Sequence, residues 1–444
     1  MDRILPKRIA TVPSPKVRCK EPVRLPIGLA GHVGSAIIPP AYRNRWRHTQ
    51  RRVIGTTAMD WGNLTILMLL AAGHAELLVM VINRLHGHAL EEDRLHYVRH
   101  FHEVAIVVFP MALLWYVGLN GPQLLFGGRF IDLAFGWKIY LGLCAVGVVG
   151  LVISAVRWNL QHRPRTLVAN HSQTIDIAQR LGSRPLADGP YRYLANVPGN
   201  EIFQLEVSDK TYRLPNLPAE WDGFSILHLT DLHYTGTIQR SFFEEVAKIA
   251  RDMPADLVVM TGDLIDDERL IDWLPTTLGC LDAPLGCWFI LGNHDWRLDS
   301  DKIRKAMTDL GWKDIASRTA EIEHNDHTLA IGGSEVPWMG RHPDFSETPD
   351  DAFRLLLSHT PDNLPWAKRN GVDLMLSGHN HGGQVVIPIL GPVYAPSVNG
   401  VRHASGAFWE PPTQLIVSRG VSGKHPLRLN CKPELTRLIL RAGA

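Results

Sequence analysis

Five short groups of aspartate, histidine and asparagine follow one another in the second half of the 444-residue chain. In order they are Asp231-Leu232-His233, Gly262-Asp263, Gly292-Asn293-His294-Asp295, Ser358-His359 and Gly378-His379-Asn380-His381. They offer carboxylate, amide-oxygen and imidazole ligands without thiolate, a mixture that suits divalent ions such as Mn, Fe, Zn or Co. Two such ions held about 3.5–4 Å apart clamp the attacking and leaving oxygens of a phosphoryl transfer. The motifs therefore predict a two-metal centre that hydrolyses a phosphate ester.

Short apolar segments precede these motifs and alternate with helical segments from about residue 224. The predicted strands are Phe224–Thr230, Leu257–Thr261, Trp288–Leu291, Phe353–Leu357 and Val372–Leu376. The apolar spacing of Ser241–Arg251 and Asp301–Leu310 predicts helices. All but one of the strands run directly into a metal-ligand motif. Because an open α/β sheet collects its chemistry at the carboxyl ends of its strands, the strand pattern and the motifs support each other.

In their order and spacing the motifs resemble those of the calcineurin-like metallophosphoesterases, over about residues 220–440. The segments Gly378–Gln384, Ser418–Gly420 and Pro426–Leu429 resemble the membrane-associated bacterial branch of that family. That branch includes phosphodiesterases of unknown substrate and UDP-2,3-diacylglucosamine pyrophosphohydrolases of lipid A synthesis. The resemblance implies an α/β fold, a metallophosphoesterase-type β-sandwich flanked by helices.

The same resemblance implies a role for each ligand. The first metal would be held by Asp231, His233, Asp263 and His381, and the second by Asp263, Asn293, His359 and His379. Asp263 would bridge the two ions, since a carboxylate offers several lone pairs and a negative charge between two cations. A water between the ions would be acidified toward hydroxide and would be the nucleophile.

His294 and Asp295 are the predicted catalytic residues. His294 would stabilise charge on the phosphoryl group or protonate the leaving oxygen. Asp295 would hold the His294 ring, as carboxylates beside ligating histidines do. Asp266 and Asp267 are predicted to begin a helix, because acidic side chains favour that end. Candidates for substrate contacts, with surface positions as the equal alternative, are Trp296, Arg297, Trp338, Arg341 and His342.

The first 223 residues differ in composition from the rest. Residues 1–53 are basic and are predicted to form a disordered arm near a membrane surface. Three apolar runs within residues 54–158 predict a membrane bundle of about three helices; they are Leu64–Asn83, Val104–Leu119 and Ile139–Val156. The third run has 18 residues without a charge, which is enough to span the hydrocarbon of a bilayer. Flanking arginines number six on each side, so the positive-inside rule predicts no orientation.

Residues 159–223 are predicted to be a connector ahead of a catalytic domain at 224–444. Glu201–Val207 and Lys210–Leu214 are rich in strand formers and flank Ser208-Asp209, which predicts a β-hairpin. With the membrane bundle, the resemblance places the protein in the bacterial inner membrane as a multi-pass protein. Its substrate would be a phosphate ester, lipid-linked in the way of UDP-2,3-diacylglucosamine, or alternatively water-soluble.

Two other functions remain open from the residues alone. Polar residues in the bundle are costly and face its interior; they are His74, Glu76, His100, His102 and Glu103. A haem or metal site among them would make the protein a membrane sensor with a regulatory or degenerate phosphoesterase half. The alternative is hydrogen bonding between the helices, with histidines at the level of the lipid headgroups. A nuclease is disfavoured, because the net charge is only +2 and the catalytic half lacks a dense basic run. Cys280 and Cys287 form no C-x-x-C motif and are predicted to be buried thiols.

Overall fold

The computed structural model describes residues 58–90, 92–161, 163–324 and 327–443. The predicted arm of residues 1–53 lies outside these ranges. Three long helices come first: α1 (Trp61–His86), α2 (Glu92–Leu113) and α3 (Phe135–Leu160). The backbone of α2 continues as a π-helical segment, Leu114–Leu119.

The three apolar runs of the sequence form helices that are long and apolar enough to cross a membrane. Their outer surfaces expose large apolar side chains, among them Ile66, Leu69, Val107, Val149 and Val152. A soluble protein rarely exposes apolar patches of this extent, whereas a surface in contact with lipid requires them. The helices therefore have the length and the surface chemistry of a membrane bundle.

Two glycines lie where α1 and α3 approach most closely. A Cβ atom added to Gly147 would lie 2.1 Å from the Gly73 carbonyl oxygen, and one added to Gly73 would lie 2.0 Å from the Cys144 carbonyl oxygen. Small residues that let two backbones approach are typical of helix contacts in membranes. The α1–α3 contact thus depends on the absence of side chains at these two positions.

Gly147→Ala is expected to destabilise the bundle by about 1–3 kcal/mol, the usual cost of forcing an extra methyl group into a packed contact. The measurement is thermal unfolding of the full chain in detergent. Gly142→Ala is the matched control, because a Cβ atom there meets nothing within 4 Å. Equal stability of the two variants would contradict the close contact.

The described part of the chain after the bundle forms fifteen strands and five further α-helices. The strands are β1 (Leu167–Asp176), β2 (Gln204–Leu214), β3 (Ser225–Leu229), β4 (Leu257–Thr261), β5 (Cys287–Ile290), β6 (Lys313–Asp314), β7 (Thr319–His324), β8 (His327–Ser334), β9 (Phe353–Ser358), β10 (Leu374–Ser377), β11 (Val386–Ile387), β12 (Gly391–Pro392), β13 (Gly406–Glu410), β14 (Thr413–Val417) and β15 (Glu434–Ala442). The helices are α4 (Ile177–Leu181), α5 (Arg240–Arg251), α6 (Leu274–Thr277), α7 (Ser300–Asp309) and α8 (Leu364–Arg369).

Two large sheets face each other. The first has the order β1-β2-β15-β3-β4-β5-β6 and the second the order β13-β14-β10-β9-β8-β7. Alternate residues of both sheets fill the space between them, for example Ile226 and Val259 from the first and Leu355 and Leu376 from the second. The intervening residues point outward, since side chains alternate along a strand. This arrangement confirms the predicted β-sandwich.

Helices cover the outer face of each sheet. On the first sheet Leu227 and Met260 pack with Phe242 and Val246 of α5 and with Ile303 of α7. On the second sheet the outward residues of β9, β10 and β14 pack with Leu364 and Ala367 of α8. The predicted flanking helices are therefore present, and α5 and α7 begin within a residue of their predicted starts.

The predicted hairpin between residues 201 and 214 is wrong. β2 is one continuous strand through Ser208 and Asp209, paired antiparallel with β1 and parallel with β15. The Ser208 hydroxyl lies 2.9 Å from the Thr436 hydroxyl, and Arg437 donates to the Asp209 carboxylate. Partners on β15 thus stabilise the extended conformation of Ser208 and Asp209, two residues that in isolation favour a turn. Much of the predicted connector consequently belongs to the first sheet.

The C-terminal ends of α1 and α3 contact one segment of the catalytic domain, residues 389–396. Asn83 accepts the backbone N–H of Ala395 at 3.2 Å, and Asn159 donates to the Ile389 carbonyl oxygen at 2.5 Å. The Trp158 ring packs on Gly391, where an added Cβ atom would lie 2.7 Å away. α1 and α3 therefore run in the same direction, toward the catalytic domain.

Candidate metal centre

The metal-ligand motifs follow the carboxyl ends of β3, β4, β5, β9 and β10. β3, β4 and β5 are parallel neighbours, as are β9 and β10 in the facing sheet. Parallel strands end at the same edge, and the two sheets bring their edges together. The predicted ligands are accordingly gathered in one place, and they are Asp231, His233, Asp263, Asn293, His359, His379 and His381.

Five of these residues have backbone conformations that side chains disfavour. Their φ angles are +55° for Asp231, +49° for His233, +55° for Asp263, +70° for His379 and +50° for His381. Non-glycine residues in this left-handed region cost of order 1–3 kcal/mol each and occur where the surroundings impose them, often at functional sites. The backbone here turns sharply after each strand and aims successive side chains at one point.

Two glycines permit the backbones to approach. A Cβ atom on Gly292 would lie 2.2 Å from an Asp263 carboxylate oxygen, and one on Gly378 would lie 2.4 Å from an Asp231 oxygen. No other residue fits at either position without moving a predicted ligand.

The first group of convergent side chains contains Asp231, His233, Asp263 and His381, whose ligand atoms all lie within 4.8 Å of one another. His233 Nε2 is 3.4 Å from Asp263 Oδ2 and 3.2 Å from His381 Nε2. His381 Nε2 is 3.7 Å from Asp231 Oδ1. These four residues are those that the resemblance assigns to the first metal.

The second group contains Asp263, His359 and His379, with Asn293 beside them. His359 Nε2 lies 3.2 Å from Asp263 Oδ2, 3.1 Å from Asn293 Oδ1 and 3.2 Å from His379 Nδ1. One oxygen, Asp263 Oδ2, therefore lies between His233 of the first group and His359 of the second. A bridging carboxylate requires this position.

Hydrogen bonds on the outer side of the rings fix which nitrogen faces inward. His359 Nδ1 donates to the Thr261 carbonyl oxygen and His379 Nε2 donates to the Pro396 carbonyl oxygen, both at 2.7 Å. His233 Nδ1 donates to Asp266 Oδ2, also at 2.7 Å. In the neutral imidazole, the opposite nitrogen of each ring carries a lone pair directed at the others. Facing lone pairs need a cation between them, so the donor set fits divalent metals.

The charges of the site also favour cations. Burial alone would lower the pKa of His233, but the carboxylates of Asp266 and Asp263 raise it to about 9. Burial likewise opposes protonation of His359, while Asp263 and Asp231 raise its pKa to about 9. Positive charge is thus stabilised on both sides of Asp263, where two metal ions would supply it.

Comparison with known proteins agrees with this geometry. A model of the family described as calcineurin-like phosphoesterase matches residues 224–383. Phosphodiesterase YaeI of Escherichia coli (strain K12) is 31% identical over 226 residues, which cover 49% of this chain and 82% of YaeI. The chain is a calcineurin-like phosphoesterase. It is therefore a metal-dependent phosphohydrolase.

Two further relatives have names that concern lipids or membranes. The UDP-2,3-diacylglucosamine pyrophosphatase LpxG of Chlamydia muridarum (strain MoPn / Nigg) is 26% identical to the phosphoesterase over 290 residues, covering 52% of this chain and 88% of LpxG. A transmembrane protein with metallophosphoesterase domain from Danio rerio is 25% identical over 256 residues, covering 53% of this chain and 57% of that protein. One of these relatives is thus named as a transmembrane protein, and the three apolar helices of this chain also indicate association with a membrane.

Asp266, not Asp295, holds the His294 ring of the phosphoesterase. His294 Nδ1 donates to Asp266 Oδ1 at 2.5 Å, and the other oxygen of Asp266 accepts from His233. Asp295 is fully buried and accepts backbone N–H groups of Gly292, Leu264 and Ile265. The predicted role of Asp295 is therefore wrong, because its carboxylate ties the β4 and β5 loops together and lies away from the imidazole.

The prediction that Asp266 and Asp267 begin a helix holds only for Asp267. Its carboxylate accepts the backbone N–H of Arg269 at 3.0 Å, at the start of a 3₁₀ turn. Asp266 instead links a predicted metal ligand to the predicted catalytic histidine. Burial would raise the pKa of the largely buried Asp266, but the charges of His294 and His233 hold it far below its usual value.

Asp266→Asn is expected to lower kcat by about 10–100-fold, the usual cost of losing a carboxylate that orients a ligating or catalytic histidine. Asp267→Asn is the matched control, because its side chain contacts the exposed Arg269. Hydrolysis of a simple phosphodiester and the bound metal content are measured for both variants. Equal activity of the two variants would show that Asp266 does not contribute to the site.

A cavity of about 130 Å³ opens above the two ligand groups. Of the predicted substrate contacts, Arg297 and Trp338 line it, and the Trp338 ring lies 4.8 Å from the His379 ring. His342 does not belong to this lining and stacks on Trp366 at 4.4 Å. Eight further lining residues were not predicted as substrate contacts, and they are His86, His88, Arg99, Gln384, Tyr394, Pro396, Lys424 and His425.

The described histidines of the helices make local polar contacts. His74 Nε2 lies 3.1 Å from the Ala105 carbonyl oxygen, and His102 Nδ1 lies 2.7 Å from that of Val98. His100 and Glu103 pair with each other on an exposed surface. In the described ranges, the His, Cys, Asp and Glu groups close enough to hold an ion all lie in the catalytic domain.

Proposed function

We propose that this phosphoesterase is a multi-pass membrane protein that hydrolyses a phosphodiester or pyrophosphate bond of a lipid-linked substrate such as UDP-2,3-diacylglucosamine. The observation that carries the proposal is the wall of the catalytic cavity. His86 ends α1, His88 follows it, and Arg99 belongs to α2, yet all three line the cavity above the metal ligands. The proposed membrane bundle thus forms part of the active site.

This placement suits a substrate that stays in the membrane. With α1, α2 and α3 crossing the bilayer, the turn between α1 and α2 lies at the membrane–water boundary. A phosphate group attached to a lipid is held at the same level. The cavity of about 130 Å³ accommodates a phosphoryl group, while the rest of a larger substrate extends outside it. We propose the bacterial inner membrane as the location.

Cationic side chains around the cavity match a polyanionic group. Arg99 comes from α2, Arg297 follows the predicted catalytic histidine, and Lys424 comes from the C-terminal segment. Arginine binds phosphate oxygens through two parallel N–H donors. Three cations from separate parts of the chain favour a substrate with more than one phosphate charge, as in a pyrophosphate.

We propose that two divalent ions complete the site, with the ligand sets of the two convergent groups and with Asp263 shared. When bound, such ions neutralise and orient the phosphoryl oxygens. The chain itself positions His294 for proton transfer to the leaving oxygen and holds its ring through Asp266.

The decisive test compares three substrates with purified full-length protein and added Mn. They are UDP-2,3-diacylglucosamine in mixed micelles, UDP-glucosamine without acyl chains, and bis(p-nitrophenyl) phosphate. We expect the acylated nucleotide to be cleaved with a kcat/KM at least tenfold above that of UDP-glucosamine. Equal kcat/KM for the acylated nucleotide and for UDP-glucosamine would reject the lipid-linked substrate. The protein would then be a phosphodiesterase for soluble compounds.

Arg99→Gln is expected to raise KM for the acylated nucleotide by about tenfold or more, since a hydrogen bond to a charged group contributes roughly 1.5–3 kcal/mol. The control is Arg180→Gln, which removes an exposed arginine that pairs with Glu245 and does not line the cavity. An unchanged KM in Arg99→Gln would show that α2 does not contact the substrate.

A further inference from the structure

A second, larger cavity lies on the other side of the α1 terminus. Its volume is about 630 Å³, within the range of small-molecule sites. It is bounded by α1, by α3 and by the segment 390–410 of the catalytic domain. Its lining includes Glu76, Met80 and Arg84 of α1 and Gly150, Ile153 and Arg157 of α3.

The cavity reaches deep between the helices. Glu76 and Gly150 line its inner end, and each lies about ten residues before the end of its helix. At 1.5 Å per residue this depth is about 15 Å, which is half of a hydrocarbon core about 30 Å thick. A purely water-soluble ligand is not expected to enter the hydrocarbon core to this depth. Met80, Leu151 and Ile153 line the space and suit an acyl chain.

The outer end of the cavity is cationic. Arg84 and Arg157 are both exposed and line it near the helix ends. Arg84 Nη1 donates to the Met80 carbonyl oxygen at 2.9 Å, which bends its side chain along the helix. Of the other charges, Arg402 is paired with Glu410 at 2.6 Å. Two arginines therefore face one inner carboxylate, Glu76, and the mouth favours an anion.

A thin wall separates this cavity from the catalytic one. The wall consists of the last turn of α1 and residues 393–396, joined by the hydrogen bond from Ala395 to Asn83. On its far side the Pro396 carbonyl oxygen accepts from His379, a predicted metal ligand. An occupant of the second cavity would thus contact the segment that orients this ligand, without entering the metal centre.

We propose that the second cavity binds one anionic phospholipid, with an acyl chain between α1 and α3 and the headgroup phosphate at Arg84 and Arg157. The assignment rests on the proposed insertion of α1 and α3 in a membrane and is independent of which bond the metal centre hydrolyses. Juxtamembrane arginines attract anionic lipids in general. The combination of a cleft about 15 Å deep, lined by Met80, Leu151 and Ile153, with Arg84 and Arg157 at its mouth selects a lipid held in a single position.

The experiment measures binding of dioleoylphosphatidylglycerol and dioleoylphosphatidylcholine to the detergent-purified full chain by native mass spectrometry. We expect one tightly held phosphatidylglycerol. Arg84→Gln/Arg157→Gln is expected to weaken its binding at least tenfold, since each cation contributes about 1 kcal/mol near an anionic headgroup. The matched control is Arg165→Gln, which removes an exposed arginine just beyond α3 that does not line the cavity.

A second variant keeps the charges and fills the space. A Cβ atom on Gly150 meets nothing closer than 3.7 Å, so Gly150→Phe places its ring in the cavity without a backbone clash. It is expected to abolish retention of phosphatidylglycerol, with folding checked by thermal unfolding. Equal binding by wild type, Gly150→Phe and the double arginine variant would overturn the proposal. Equal retention of phosphatidylcholine would overturn the assignment of the headgroup.

Because binding is measured without hydrolysis, the result is independent of the proposed substrate. Loss of lipid retention in the variants would still support the lipid site, even if the enzyme does not cleave UDP-2,3-diacylglucosamine. Cleavage of that substrate by an enzyme that retains no lipid would support only the proposed function.

Discussion

Asp263→Asn is expected to lower kcat by about a thousandfold or more and to leave fewer than two metal ions bound per chain. The physical reason is the position of Asp263 Oδ2, which lies 3.4 Å from His233 Nε2 and 3.2 Å from His359 Nε2. An amide at this position has less negative charge and can place an N–H group between two cations. The loss of several kcal/mol of charge stabilisation corresponds to such a change in rate.

Metal content by atomic emission and phosphodiester hydrolysis, both on the full chain, check this prediction. The matched control is Asp309→Asn, which changes an exposed carboxylate that pairs with Lys305 on α7. An Asp263→Asn protein that retains two ions and most of its activity would show that Asp263 does not bridge them. Thermal unfolding of both variants separates loss of metal from loss of the fold.

His294→Ala is expected to lower kcat by about 10²–10⁴-fold for substrates with an alkoxide leaving group, the range typical of general acid catalysis. The His294 ring lines the cavity and is held by Asp266, while its backbone N–H donates to Asp263 Oδ1 at 2.9 Å. A p-nitrophenolate leaving group needs little protonation, so its release is expected to slow far less. A larger loss of rate with the alkoxide leaving group than with p-nitrophenolate therefore identifies proton donation by His294.

An equal loss of rate for both leaving groups would contradict the acid role and would indicate that His294 binds the phosphoryl group. His342→Ala is the control, because that histidine stacks on Trp366 away from the ligand groups. Asp266→Asn should reproduce the leaving-group dependence of His294→Ala in weaker form.

Much of the fold follows from the sequence because local and long-range signals agree. Leu257–Thr261 is an apolar run between turn signals, and it forms β4 with the predicted bounds. Each ligand motif follows a buried parallel strand, so placing the strands in a sheet also places the ligands. The three apolar runs needed only length and composition to be recognised as helices.

The partners of individual side chains did not follow from the sequence. Asp266 and Asp295 are both acidic residues next to motifs, and only the turn after β4 shows that Asp266 faces His294. Ser208 and Asp209 carry a strong turn signal, yet their neighbours on β15 lie more than 200 residues away and keep the strand straight. Such contacts depend on packing that no local pattern encodes.

The contribution of the helices to the active site also could not be predicted from the sequence. Arg99 and His86 stand in segments whose composition indicates only a membrane bundle. Their place in the cavity depends on how the ends of α1 and α3 dock on residues 389–396. Docking of two regions separated by hundreds of residues is a property of shape, and the spacing of residues along the chain does not reveal it.

The left-handed backbone conformation of five predicted ligands lowers the stability of the fold, while their side chains are needed for activity. Glycine adopts these φ angles without the cost that Asp231, His233, Asp263, His379 and His381 bear. A library selected for thermal stability alone, in a chelator, should therefore accumulate glycine at these positions and lose hydrolysis as it does so. Selection for growth on a phosphodiester should restore aspartate and histidine and lower the melting temperature again. An ancestor without metal would have had no reason to keep these five side chains.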